Sequence, residues 1–182
     1  MGEFGVSFGK PKIDLDQLRN WKDGIIGKLT NGLSGLAKQR KVDTIVGNGQ
    51  FIGPNSIEVQ TAEGLKRVGF DAAIIAAGSQ VTKIPDIPYE DPRVMDSTDA
   101  LTLRNIPKSM LVIGGGIIGL EMATVYQALG TKITVVELAD SLIPGADKDI
   151  VRPLHKRLQK QCEGIHLRTK VKALTAEKNG LK

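Results

Sequence analysis

The sequence predicts an α/β fold in which parallel strand–helix–strand units stand beside a small antiparallel meander. Three observations carry this. An apolar run, Met110 to Ile113, leads into the glycine-rich Gly114-Gly115-Gly116-Ile117-Ile118-Gly119 and then into helical periodicity up to Leu129. Between Asp43 and Phe70 the chain breaks into short β-rich runs separated by Gly, Pro-Asn and Glu-Gly turns. Finally, hydrophobic residues make up 41% of the 182 residues but aromatics only 4%, so the core must be aliphatic, as in Val/Ile-rich parallel sheets.

In chain order, Asp14 to Arg40 carries Leu15, Leu18, Trp21, Ile25, Ile26, Leu29, Leu33 and Leu36 at helical spacing, which predicts one long amphipathic helix. Gly24, Gly27, Gly32 and Gly35 each lower its propensity by up to ~1 kcal/mol relative to Ala, and permit either close packing or a break. Thr44–Val46, Gln50–Ile52, Ser56–Val59 and Lys66–Phe70 are the candidate meander strands. Ala72 to Ala77 is continuously apolar and stops at Gly78, which reads as a buried, parallel strand. Pro85, Pro88 and Pro92 exclude a helix or central strand from Val81 to Arg93, making that stretch a connection. Beyond Pro107 come a strand (110–113), a helix (117–129) stopped by Gly130, and a second strand (132–137). A helix from Lys148 to Gln161 contains Pro153, so it kinks there or starts later. One or two strands are expected over 165–173, followed by a polar end, 177–182.

The formal net charge of +5 is spread along the chain. Its densest basic run, Lys38-Gln39-Arg40-Lys41, falls where the long helix should end and where cations complement the macrodipole, so no nucleic-acid partner is expected. A single cysteine, Cys162, excludes an intramolecular disulfide and any CxxC pair. The N-terminal stretch holds Glu3 and no apolar signal core, and no run reaches the ~18 apolar residues of a membrane span. The expectation is a cytoplasmic protein without a membrane partner.

Gly114 to Gly119 spells GxGxxG. Glycine-rich turns are common, and the context gives this one its meaning. It follows an apolar strand, opens a helix, and precedes a second strand ending in Glu137, 18 residues after Gly119. This is the first βαβ unit of a Rossmann-type domain. Gly114 allows the tight turn, Gly116 removes a side chain where a pyrophosphate approaches, and Gly119 lets the helix pack on the strand. Phosphates would sit at the helix N-terminus against free N–H groups and the positive end of the dipole. Glu137 would accept hydrogen bonds from the adenosine ribose. A carboxylate there repels a 2′-phosphate, and Leu138 and Ala139 supply no arginine, so NAD is expected rather than NADP.

Glu121 lies two residues past Gly119 within the apolar helix and faces either solvent or a bound cofactor. His155 and His166 lack metal-site or triad partners nearby in sequence, so neither is expected to ligate a metal or catalyse. Cys162 reads as an incidental thiol. No metal ligand and no catalytic residue are assigned.

The run GGGIIGLEMATVYQALG with ITVVE resembles the NAD-binding region of the dihydrolipoamide dehydrogenases, a branch of the flavin-dependent disulfide oxidoreductases. So do DAAIIAAGS (71–79), DPRVMDSTDAL (91–101), GADKDIV (145–151) and GLAKQRKVDTIVGNGQF (35–51), in the family's order over nearly the whole chain. The resemblance implies that Gly114, Gly115, Gly116, Ile117 and Ile118 form the NAD pyrophosphate turn and Glu137 the ribose acid. It sets Ile117 near the meeting point of nicotinamide and flavin, Glu121 near the nicotinamide carboxamide, and Val171 at the adenine end. It makes Gly49 an FAD-adenine contact and Ala77, Gly78 and Ser79 a turn beside FAD.

It also implies a division of the chain: residues 1–80 as the later part of an FAD domain, 81–107 as a connection, and 108–182 as the first part of an NAD domain. The family's FAD fingerprint and CxxxxC pair are expected to precede Met1. Its second FAD region, dimerisation domain and His-Glu base are expected to follow Lys182. The implied parent is a homodimer that reoxidises dihydrolipoyl groups of an acyltransferase in a 2-oxoacid dehydrogenase complex, passing electrons through a disulfide and FAD to NAD. The isolated chain is expected to be inactive. A stand-alone NAD(H)-binding or regulatory module is the alternative, and mercuric- or glutathione-reductase-like members are disfavoured by Glu137 without following arginines.

Overall fold

A computed structural model describes Gly5, Gly9 and residues 11–182; Glu3, of the N-terminal stretch, lies outside them. The chain forms two compact units, one of residues 20–80 and the other of residues up to Arg19 together with 81–182.

The long helix forms as one piece, α1 (Leu15–Gln39). Its start is set by Asp14, whose Oδ1 accepts the Gln17 N–H at 3.0 Å, the usual N-cap role. Its end is set by Lys41 at φ +55, with Lys41 N–H on the Lys38 carbonyl and Val42 N–H on the Ala37 carbonyl. The basic run is therefore the last turn and its cap. The four glycines of α1 neither break it nor receive a close neighbour.

In the unit of residues 20–80, three strands form an antiparallel meander in the order β1 (Asn48–Gly53), β2 (Ser56–Thr61), β3 (Gly64–Gly69). Register is set by the Pro54-Asn55 and Ala62-Glu63 turns, pairing Gln50 with Glu58 and Ile57 with Val68. Phe51 and Phe70 meet edge to face at 6.0 Å, and Arg67 Nε donates across the strands to Glu58 at 2.8 Å.

Two expected strands of this region do not form. Among the described residues Thr44–Val46 pairs with none, and regular structure begins only past Gly47, where any side chain would run into the Gln60 carbonyl. Ala72–Ala77 takes no regular structure and is exposed, with Ile74 at 96% and Ile75 at 75% exposure, not a buried strand. Apolar composition suits a parallel strand to burial, but the strand exists only where neighbours take up its N–H and C=O groups. Among the described residues none flanks this segment.

The second unit holds a parallel sheet and its helices. α2 (Ser97–Leu101) opens on a capping box in which Asp96 and Asp99 accept each other's backbone N–H groups. The sheet order is β4 (Ser109–Ile113), β5 (Lys132–Val136), β6 (Gly164–His166), with α3 (Ile117–Ala128) between β4 and β5 and α4 (Lys148–Gln161) between β5 and β6. Ile133 and Val135 are fully buried beneath Tyr126, Leu120, Ala123, Val151 and Leu158. Each such aliphatic side chain contributes about 1.5–3 kcal/mol by burial. The buried Tyr126 hydroxyl donates to the Ala100 carbonyl at 2.9 Å, fastening α3 to α2.

α4 runs through Pro153 and starts at Lys148, so the proline delays nothing. Of the strands expected over 165–173, only Gly164–His166 forms, and the polar end instead makes a hairpin of β7 (Ala176–Glu177) and β8 (Gly180–Leu181). Burial pushes the Cys162 thiol up, which makes it a poor nucleophile at neutral pH.

The connection 81–107 is ordered by charge. Asp91 takes hydrogen bonds from Arg93 Nε (2.9 Å), Nη2 (2.7 Å) and the backbone N–H, which lower its carboxyl to about 2. Its folded pKa lies below the ordinary ~3.9 of the unfolded chain. The contribution is therefore complete above that value and lost as pH falls toward 2. Exposure keeps the effect on stability small. A carboxyl NMR titration should place the Asp91 midpoint near 2 and return it toward the ordinary range in Arg93→Ala; an unshifted midpoint in the parent would show the pairing absent.

Candidate functional site

At the C-terminal end of β4 the chain turns on Gly114, whose φ of +111 lies in the region that only glycine adopts freely. Its N–H donates to the Val136 carbonyl at 2.8 Å, continuing the β4–β5 ladder into the turn. Gly116 is the N-cap of α3 and offers no side chain to the first-turn N–H groups. That end of the helix therefore presents uncapped donors and the positive end of its dipole, a ready anion site.

The glycines of the turn have different reasons to be glycine. At Gly119 a Cβ would overlap the Gly114 carbonyl and sit 3.3 Å from Val112 Cγ1, so this residue sets how closely α3 lies on β4. At Gly116 a Cβ would meet nothing within 4 Å, so the space above the turn is open. At Gly115 it would sit 2.7 Å from Leu142 Cδ2 and 3.1 Å from Glu137 Cβ.

Glu137 follows β5 directly, and its own N–H still pairs with the His166 carbonyl at 2.8 Å. Its carboxylate reaches the turn: Oε2 accepts the Gly115 N–H at 2.6 Å, and Oε1 accepts the Ala139 N–H at 2.7 Å. The acid and the glycine turn, 22 residues apart, are thus in direct contact. Leu138 beside it is exposed.

Ile117 and Glu121 are both exposed and stand one turn apart on the same face of α3, with Ile118 exposed beside them. Val171 lies in a small cavity with Ile113, Ile84 and Pro85, at the end of β4 that leads into the glycine turn. In the other unit, Gly49 pairs with Val59, and a Cβ there would be 3.0 Å from Ile57 Cδ1. Ala77, Gly78 and Ser79 lie in the same exposed segment without regular structure, with Gly78 at φ +71. Among the described residues no three His, Cys, Asp or Glu side chains converge, and no helix is long and apolar enough to cross a membrane.

Sequence reasoning missed Leu142 and Ile143. Ile143 N–H donates to the Gly115 carbonyl at 2.9 Å, and Leu142 is fully buried against the turn. The signal was two adjacent apolar residues in a loop otherwise rich in Asp, Ser, Pro and Gly.

A βαβ turn with uncapped helix donors and an acid at the end of the next strand has the form of a dinucleotide-binding unit. The pyridine nucleotide-disulphide oxidoreductase family model matches residues 6–182, and the chain belongs to that family. It is 54% identical over 98% of its length to the dihydrolipoyl dehydrogenase of Vibrio cholerae and 47% identical over 97% to that of Haemophilus influenzae. It is also 37% identical over 99% to the mitochondrial enzyme of Dictyostelium discoideum. The chain spans 38%, 37% and 37% of these relatives. Among solved structures, a Cu(II) complex of the HOCl-induced flavoprotein disulfide reductase RclA from Escherichia coli superposes with a TM-score of 0.81 at 29% identity, over 91% of this chain and 38% of that one.

Proposed function

We propose that the Gly114–Gly119 turn and Glu137 form the NAD(H) site of a dihydrolipoyl dehydrogenase, a homodimer that reoxidises dihydrolipoyl groups of an acyltransferase in a 2-oxoacid dehydrogenase complex. The observation that carries this is the Glu137 carboxylate held against the turn at Gly115, beside an α3 N-terminus left open above Gly116. The fit favours a nucleotide: N–H groups of residues 116–118 would hold a pyrophosphate, and Glu137 would offer its remaining lone pairs to the ribose hydroxyls. Ile117 and Glu121, on one helix face, flank the nicotinamide end; Val171 borders the adenine. NAD supplies hydride acceptance when bound. In the same reading Gly49 and Ala77–Ser79 contribute to an FAD site, residues 1–80 belong to the FAD domain and 108–182 to the NAD domain, and the setting is cytoplasmic.

Reduction of NAD by a dihydrolipoyl group in this family passes through a cysteine pair, and this chain has only Cys162. The alternative reading is an NAD(H)-binding module without catalysis. The test is a titration of the purified 182-residue chain with NADH and NADPH, alongside a lipoamide assay and an absorbance spectrum. NADH should bind in preference to NADPH, with no lipoamide-dependent NADH production and no flavin band near ~450 nm. Failure to bind NADH would overturn the assignment of the turn. Stoichiometric flavin would overturn the expectation of an inert chain.

A further inference from the structure

We propose that Glu137, Leu142 and Ile143 form a clamp that fixes Gly115, making Leu142 a positioning residue for nucleotide recognition at the α3 N-terminus. The inference rests on the NAD(H) reading above and adds to it a residue that touches no nucleotide. Both backbone polar groups of Gly115 are committed to the segment after β5: its N–H to Glu137 Oε2 at 2.6 Å, its carbonyl to Ile143 N–H at 2.9 Å. Leu142, fully buried, fills the space between those two bonds, so that even a methyl at Gly115 would be 2.7 Å from its Cδ2.

The GxGxxG pattern leaves its second position open to any residue. In this chain that position is closed by Leu142 on one side and Glu137 on the other. The consequence is directional. The N–H groups that follow Gly115 can serve an anion only if the turn already points them outward, because a turn that must be ordered on binding subtracts that cost from affinity. The clamp holds the turn in place before any nucleotide arrives. Glu137 therefore has two duties, one toward the turn and one toward the ribose, and Leu142 has one, exerted through Gly115.

The test compares Leu142→Ala with Leu158→Ala, a second buried leucine located on α4 and outside the clamp. Both should lower the melting temperature of the chain. At a temperature where both remain folded, only Leu142→Ala should weaken NADH binding, by about tenfold, equivalent to ~1.4 kcal/mol. Gly115→Ala should also harm binding less in the Leu142→Ala background than in the parent, since the methyl then has room. NADH affinities equal in the parent and both leucine variants would overturn the positioning role. If the parent itself does not bind NADH, the nucleotide reading fails on its own. The clamp is then judged by amide hydrogen exchange at Gly115: faster exchange in Leu142→Ala than in Leu158→Ala supports it, and equal rates overturn it. Leu142→Val carries the same comparisons should the alanine variant not fold.

Discussion

Gly116→Val should abolish NADH binding while leaving the fold intact. The N-cap backbone at Gly116, φ −76 and ψ −179, is one that any residue adopts, and an added Cβ meets no protein atom within 4 Å. Glycine is therefore not demanded there by the protein itself. The isopropyl group would instead fill the space through which a pyrophosphate reaches the helix N-terminus. Losing those contacts should weaken NADH by at least about a hundredfold, ~2.7 kcal/mol, with the melting temperature nearly unchanged. Gly119→Val makes the contrast, since its side chain would strike the Gly114 carbonyl and should lower the melting temperature outright. Measuring melting and NADH affinity on the same samples separates the two glycines. A Gly116→Val chain that melts early and binds NADH normally would mean that the turn serves folding alone.

The second large effect is on cofactor choice. Glu137→Ala combined with Leu138→Arg should reverse the preference for NADH over NADPH, because a carboxylate that repels a 2′-phosphate is replaced by a neighbouring guanidinium that pairs with one. Leu138 is already exposed, so the arginine need not be buried. The structure adds a condition. Removing the carboxylate also leaves the Gly115 and Ala139 N–H groups without their acceptor. Losing the partner of a fully buried donor costs about 1–3 kcal/mol, and less for part-buried bonds such as these. Both cofactors should consequently bind more weakly than NADH binds the parent, while their ratio moves by at least about tenfold toward NADPH. Titrations that leave the ratio unchanged would remove Glu137 from the ribose and leave it only its place at the turn.

The β4–α3–β5 unit could be read from the sequence because its determinants are local. Glycines at fixed offsets, an apolar strand before them and an acid after the next strand are all visible along the chain. Three of the four expected meander strands were legible for the same reason, since Pro54-Asn55 and Glu63-Gly64 mark the turns between them. Ala72–Ala77 was misread because apolar composition reports suitability for a strand, whereas a strand also requires partners that local sequence does not specify. The contact between Glu137 and Gly115 was half legible. The fingerprint named both residues, but that the acid grips the turn depends on β5 lying beside β4 in register, with Val112 opposite Val135. Leu142 and Ile143 stood out only as an apolar pair in a polar loop; no periodicity governs a loop, and their role exists only once the turn is built beside them.

The exposed run Ala72–Ala77 has a practical consequence for anyone handling the chain. Ala-Ala-Ile-Ile-Ala-Ala carries no charge and no proline, takes no regular structure, and has only Asp71 as a flanking charge before Gly78. These are the properties of a segment that adds to the edge of another molecule's sheet. Self-association of the 182-residue chain through this stretch is expected to compete with solubility and to grow with protein concentration, which light scattering over a dilution series checks. An acidic substitution at Ile74, remote in sequence from the nucleotide turn, is the simplest change that would keep the molecules apart.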